Sequence, residues 1–481
     1  MAFESGNGSQ LTRNRLHASF FAGFVPFCIA RMTLMMRPVG RFGYITRSED
    51  NIRPANSGRR SWMSAALSLA LAVAVPAFAS PASAEKLTIW SGWPDLAPFY
   101  KRVGDQLKSK YPDLEISVEA IALREHEKRL ALSLSSGAAG DVIEMEVEAA
   151  RYLEAGLIPE PPASIVDFVK ANYDMTRVKT AMYEGKIFGV PLFQGQGALF
   201  YNTEMFARAG LDGPPKTMAD YTAYAQKLAQ RDASGVPTVS GWSLRLSGGG
   251  SGIAEKYWTI LYNHGGTLLQ EKGGKWRAAY ASEAGRTALK QYLDNVVVYR
   301  TVTPEMKADA EAFELGQTAM FIRESWVIGD VAKKAPNLKY ATAPLPKGTL
   351  MVPVDLYVPN KGPKSQIAWD FVQKANEPEN LLWLLENTAW VPNRKGLDYS
   401  TVLKKIPQLD AFVNTPPGHV FFTVPAISPA SEILTRLAAR LEKAFTDKSL
   451  AGSDAAIDAF LKAAAEESDK ILAREDLLAK P

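Results

Sequence analysis

From residue 86 onward, apolar positions recur with two alternating periods. Leu87, Thr88, Ile89 and Trp90 form a short apolar run that reads as a buried strand, and Ser91-Gly92-Trp93-Pro94-Asp95 breaks it. Leu96, Phe99, Tyr100, Val103 and Leu107 then return at helical spacing, with Asp95 placed to cap the helix start. Tyr111-Pro112-Asp113 ends that helix. Leu114, Ile116 and Val118 alternate with Glu115, Ser117 and Glu119, which predicts a strand with one buried face. A second helix carries Leu130 and Leu134. The glycine-rich stretch 137–140 leads into a third strand, Asp141-Val142-Ile143-Glu144-Met145. Strand, helix, strand, helix, strand with short links predicts right-handed crossovers and a parallel sheet, hence an α/β fold. Ligands of such sheets sit beyond the carboxyl ends of the strands, so the loops 91–95 and 144–148 are candidate binding loops.

Farther along, Thr217-Met218-Ala219-Asp220 has the form of a capping box opening a helix with Tyr221, Tyr224 and Leu228. The segment 268–276, with Gly273-Gly274 inside it, reads as a hairpin. Two helical stripes close the chain: Ile433, Leu437, Leu441, Phe445, then Ile457, Phe460, Leu461. No internal repeat is visible.

The length of 481 residues predicts at least two domains. The first 84 residues change the reading of charge. They hold nine Arg, no Lys, three acidic residues and the sole cysteine, Cys28. A basic stretch ends at Arg59-Arg60. The apolar run 65–75, Pro76 and Ala82-Ser83-Ala84 follow, which together form a secretory signal with its cut after Ala84. That run is shorter than the ~20 residues a membrane span needs. Met32, Met35 and Met36 are candidate starts. The poor twin-arginine context of Ser61-Trp62-Met63 favours the ordinary export route. Taking those residues away from 55 basic and 51 acidic leaves 46 against 48, a net charge of −2. The basicity belongs to the leader, which argues against a nucleic-acid partner. The remaining chain has no cysteine, so it offers no thiolate and no cysteine-based metal site. It is long enough to build its core without disulfides.

Several segments, in order, carry a family resemblance. They are Lys86-Leu87-Thr88-Ile89-Trp90, Gly140-Asp141-Val142-Ile143 and Glu154-Ala155-Gly156-Leu157. Next come Gly185-Lys186-Ile187-Phe188-Gly189-Val190-Pro191, Leu199-Phe200-Tyr201-Asn202, Ala209-Gly210-Leu211 and Pro214-Pro215-Lys216-Thr217. Phe313-Glu314-Leu315-Gly316-Gln317-Thr318-Ala319-Met320 follows with Trp326. Ala343-Pro344-Leu345-Pro346, Ala368-Trp369-Asp370-Phe371 and Val391-Pro392-Asn393-Arg394 complete the series. The chain resembles family 1 of the extracellular solute-binding proteins, the maltose-binding-protein-like group of ABC importers.

The resemblance implies a type II periplasmic-binding-protein fold. Each of its two lobes is a mostly parallel sheet flanked by helices, and hinge strands join them. One lobe is expected from 85–193 plus 354–393 and the other from 194–353 plus 394–481, with crossings near 191–199, 352–358 and 390–396. It also implies a periplasmic, monomeric protein that captures a sugar between the lobes and passes it to membrane permease subunits.

Sugars present apolar C–H faces and a rim of hydroxyls, so their recognition calls for aromatic platforms and planar or charged hydrogen-bonding groups. Candidates are Trp93 after the first strand and Trp326, which matches a sugar-stacking position of the family. Gln194 and Gln196 at the first crossing either face the cleft or form a polar hinge. Glu144 and Glu146 follow the third strand. Asp355 is an acid inside an apolar run. Arg394 at the third crossing suits either a ligand or a structural ion pair. Arg245 precedes the run 248–252, which forms either a cleft rim or a flexible loop and lacks the Gly-Lys-Ser/Thr of a phosphate loop.

Three rival readings remain. An exported carbohydrate enzyme would use Glu144 and Glu146 as paired carboxylates. A metal carrier is disfavoured, because only His126, His264 and His419 lie beyond the leader, far apart in sequence. The same clamp for glycerol phosphate, a polyamine or a peptide is the third. No catalytic residue, metal or cofactor is expected.

Overall fold

The computed structural model describes residues 85–307 and 309–480; the leader and its cleavage site lie outside the described residues. Ten strands form the two sheets that position the site. They are β1 (Lys86–Ser91), β2 (Glu115–Ala120), β3 (Val142–Met145), β4 (Val190–Gln196), β5 (Ala198–Asn202), β6 (Met320–Arg323), β7 (Tyr340–Ala343), β8 (Gly348–Tyr357), β9 (Val391–Pro392) and β10 (Val420–Phe422).

The first sheet runs β9-β4-β8-β3-β1-β2, with β10 added to the far end of β8. β1 pairs in parallel with β2 and with β3, as the strand–helix–strand pattern predicts. β8 runs antiparallel to β3, placing Asp355 opposite Met145 and Tyr357 opposite Ile143. β4 is antiparallel to both β8 and β9. The three regions expected as crossings, in β4, β8 and β9, therefore lie side by side. In the second sheet β5 sits between β6 and β7, antiparallel to each. The fold is mixed α/β, with the parallel pairing concentrated in β1–β3.

Burial follows the apolar periods. Phe99, Tyr100, Val103 and Leu107 of the helix Ala97–Leu107 pack into one core with Ile89, Val142, Leu192 and Leu356. A second core gathers Tyr221, Tyr257 and Tyr292 from the helices that follow β5, Trp242 from the loop between two of them, and Leu437 and Leu461 from the two closing helices, Ala430–Ala444 and Asp454–Arg474. The capping box forms: Thr217 Oγ1 accepts from the Asp220 amide at 3.2 Å and Asp220 accepts from the Thr217 amide at 2.8 Å. The hairpin forms too, with Gly273 and Gly274 at φ 62° and 77°, values that cost glycine little. Asp95 differs from expectation. A 3-10 turn (Pro94–Leu96) precedes the helix, no side chain caps it, and the Asp95 carboxylate instead accepts the Trp390 indole N–H at 3.0 Å. No described helix is long and apolar enough to cross a membrane.

Candidate functional site

The carboxyl ends of β1, β2 and β3 all open on one cavity of about 420 Å³. Gly92 and Trp93 follow β1, Arg124 follows β2, and Glu146 follows β3. Facing them are Arg245, the first turn of the helix Gly252–Asn263 with Glu255 and Lys256, and Arg323, Glu324 and Trp326 at the end of β6. Gly195 of β4, Val352 of β8 and Trp390 complete the lining. A wider depression of about 850 Å³ lies near Tyr262, Lys347 and Val420. The smaller cavity is the candidate site, because it alone combines strand carboxyl ends with converging aromatic and charged groups.

Three tryptophans shape it. Trp93 meets Phe193 edge-on at 5.3 Å and Trp390 edge-on at 6.3 Å, while Phe193 and Trp390 lie 4.7 Å apart. The Asp95 bond to Trp390 ties this cluster to the loop after β1. Trp326 is only partly buried, and the Arg323 guanidinium lies 5.0 Å from its ring centre. Its indole N–H points to Glu324 Oε2 at 3.4 Å. Lys256 forms an ion pair with Glu324, with side-chain exposures of 12% and 20%, so both charges are largely withdrawn from water. Burial opposes ionisation of Glu324, but the Lys256 ammonium and Arg323 guanidinium outweigh it and hold its carboxyl well below the usual range. Arg245 also lines the cavity, with its Nε buried and without a hydrogen-bond partner. Burial, and then the charge of Arg323, lower its proton affinity.

Four of the nine residues singled out from the sequence meet here: Trp93, Glu146, Arg245 and Trp326. The other five are placed elsewhere, for local reasons. Glu144 is fully buried behind the loop after β1. It accepts the Gly92 amide at 2.9 Å and the Tyr100 hydroxyl, so it holds Trp93 in place without reaching the cavity. Burial pushes its carboxyl up to about 8, against the lowering effect of those hydrogen bonds. Gln194 and Gln196 flank Gly195 on a strand, so when Gly195 faces the cavity the two amides turn the other way. Gln194 donates to Gln196, which donates to the Phe412 carbonyl, and Arg177 donates to Gln194 at 3.0 Å. Asp355 sits at a β-bulge and accepts from Thr180 Oγ1 at 2.9 Å, buried away from the cavity. Burial lifts its carboxyl to about 7. Arg394 clamps two helices, donating to the Asn376 carbonyl and to Asn172 Oδ1 at 2.7 Å, with Phe168 beneath it. Its role here is structural, but through neutral acceptors and not through the ion pair expected of it.

The lining residues that were not anticipated include Arg124, Glu255, Lys256, Arg323, Glu324 and Trp390. Arg323 and Glu324 carried a usable signal, a charged pair directly after an apolar strand. Glu255 and Lys256 carried none, since a helix surface normally displays such residues to water.

A family described as bacterial extracellular solute-binding protein matches residues 103–411. A binding protein of Brucella abortus (strain 2308) is 21% identical over 294 residues, covering 60% of this chain and 69% of that one. Among solved structures, maltose-bound MalE3 of T. maritima aligns with TM-score 0.69 and 18% identity, over 81% of this chain and 100% of that chain. A solute-binding protein of Thermotoga lettingae bound to alpha-D-tagatose aligns with TM-score 0.67 and 22% identity, again over 81% and 100%. The fold they share with this chain is the two-lobed type II periplasmic-binding architecture.

Proposed function

Because the chain belongs to the bacterial extracellular solute-binding proteins, we propose that it is the capture subunit of an ABC importer for a carbohydrate. In this reading the solute lies in the cavity between the turns after β1–β3 and the wall formed by Arg245, Lys256 and Glu324. The core containing Ile89 and Leu356 and the core containing Trp242 and Leu437 then belong to separate lobes, divided as 85–193 plus 354–393 and 194–353 plus 394–481. β4, β8 and β9 carry the hinge. Closure is stabilised by whatever contacts the solute makes with both walls at once.

One observation carries the reading: three tryptophans and charged groups of both signs converge on a cavity at the carboxyl ends of the parallel strands β1–β3. Aromatic faces match sugar C–H surfaces, and the charged groups match a rim of hydroxyls. The maltose and tagatose carried by the two structural neighbours support the same solute class. Capture without chemistry is favoured because Glu144 and Glu146 do not share a space in which a glycosidic bond could lie between them. Glu144 is spent on Gly92 and Tyr100. A periplasmic monomer delivering cargo to a separate permease fits this role.

The test is a thermal-shift screen of the purified protein against mono- and oligosaccharides, polyols and glycerol phosphates, with the recovered solute analysed for cleavage. A sugar should raise the melting temperature in a saturable way and be recovered intact. A cleaved product, or stabilisation only by phosphates with affinity that falls as salt rises, would replace this reading.

A further inference from the structure

Three carboxylates cluster behind one side of the cavity, and Glu146 is the member of the group that lines it. Glu127, Glu146 and Glu148 bring carboxylate oxygens within 4.8 Å of one another. Arg124 forms an ion pair with Glu127, and its guanidinium is also the cation that attracts Glu146, Glu148 and Glu255. Glu255 stands on the opposite wall, so like charges confront each other across the cavity. A second observation points into the same niche: Glu148 is 5% exposed, and its Oε1 has no hydrogen-bond partner. Glu146 opens onto the cavity.

We propose that this niche receives an ammonium group of the solute, which makes the preferred cargo a carbohydrate bearing a free amine. The inference rests on the carbohydrate-capture reading and narrows it. An ammonium supplies three N–H donors, one of them to the unpartnered Glu148 Oε1. It also attracts Glu146 and Glu255 at once, turning a repulsion between the walls into a contact made only when they close on solute. The nearby faces of Trp93 and Trp326 suit an organic cation as well. A calcium ion is less well served: it takes about six to eight oxygens, and Arg124 already occupies one side of this three-carboxylate group.

The charges predict a pH dependence. Burial and the charge of Glu148 lift Glu127 to about 7 against Arg124, and burial with Glu148 and Glu255 lifts Glu146 well above its ordinary value. Burial lifts Glu148 too, against nearby backbone amides and then the charges of Arg151 and Arg124. Glu127 takes up a proton as pH falls from about 8 towards 6, so its attraction for an ammonium weakens over that window.

The experiment compares matched pairs by calorimetry and thermal shift on the purified protein: glucosamine with glucose, galactosamine with galactose, mannosamine with mannose, and de-N-acetylated chitobiose with cellobiose. Each is run in chelator and with added calcium. At least one amine should bind about tenfold or more tightly than its neutral partner, equivalent to 1.4 kcal/mol. Glu146→Gln should bring the ratio of amine to neutral-sugar affinity down to about one. Equal binding within every pair, a preference that survives Glu146→Gln, or a preference that appears only with calcium overturns the inference. In those cases binding of the neutral members leaves carbohydrate capture standing. Failure of every pair sinks both.

Discussion

Alanine at both Trp93 and Trp326 lowers affinity for the captured sugar by about 100-fold or more, measured by calorimetry on the purified double variant. A Trp side chain offers ~150–250 Å² of contact area. Covering even part of it by a sugar face, at ~25 cal/mol per Å², gives about 1.5 kcal/mol per ring or more. Two rings on opposite walls therefore account for roughly 3 kcal/mol, or two decades in Kd. Trp93 packs edge-on against Phe193 and Trp390, so its ring is braced before solute arrives. Trp326 is braced by Arg323 and Glu324. Each single variant should lose about tenfold. Arg394→Ala provides the contrast. It removes a clamp between helices, so it should lower the melting temperature and leave affinity within about twofold. A double tryptophan variant that binds sugar as tightly as the parent would remove the aromatic platform from the account.

The second large effect falls on stability. Glu144→Ala should cost about 3 kcal/mol, read from the urea midpoint, because it strands two buried donors at about 1–3 kcal/mol each. These are the Gly92 amide and the Tyr100 hydroxyl. Glu144→Gln keeps the volume and an acceptor and should recover more than half of the loss. Neither variant can titrate at this position, so both also change the response of stability to pH. Glu144 is held up at about 8 by burial, and Asp355 and Glu127 at about 7. In the unfolded chain such groups ionise near their ordinary values. The native state therefore holds more protons than the unfolded chain from about pH 4.5 to 8, and stability falls as pH rises through that window. Glu324 acts in the opposite direction. Its depressed value contributes stability above the ordinary glutamate range that is lost as pH falls below it. The stability optimum is thus expected near about pH 5. Glu144→Gln should flatten the decline above it by up to about 1.4 kcal/mol per pH unit.

The local sequence made the sheet legible because β1 and β3 are largely apolar, buried runs and the alternating Ile116 and Val118 of β2 pack against the same core. The same reasoning located the cavity, since carboxyl-end loops are where a parallel sheet presents its ligands, and it found Trp93 and Glu146. It failed where strand alternation decides orientation. Gln194 and Gln196 looked available to the cleft, but the intervening Gly195 takes that position and the amides serve the segment around Phe412. It failed again with Glu144, a carboxylate that acts from inside the wall. Lys256 and Glu255 were invisible because their role exists only once the helix Gly252–Asn263 is set opposite β3. Asp95 shows the same limit on a smaller scale. Its capping role was the plausible local use, and the tertiary partner Trp390 claimed it.

Small-angle X-ray scattering of the purified protein, alone and saturated with the sugar found by the screen, probes the closing motion itself. If two halves pivot on β4, β8 and β9 to enclose the solute, the radius of gyration drops on saturation and returns when the sugar is dialysed away. An unchanged scattering curve with the sugar stoichiometrically bound would contradict closure around cargo.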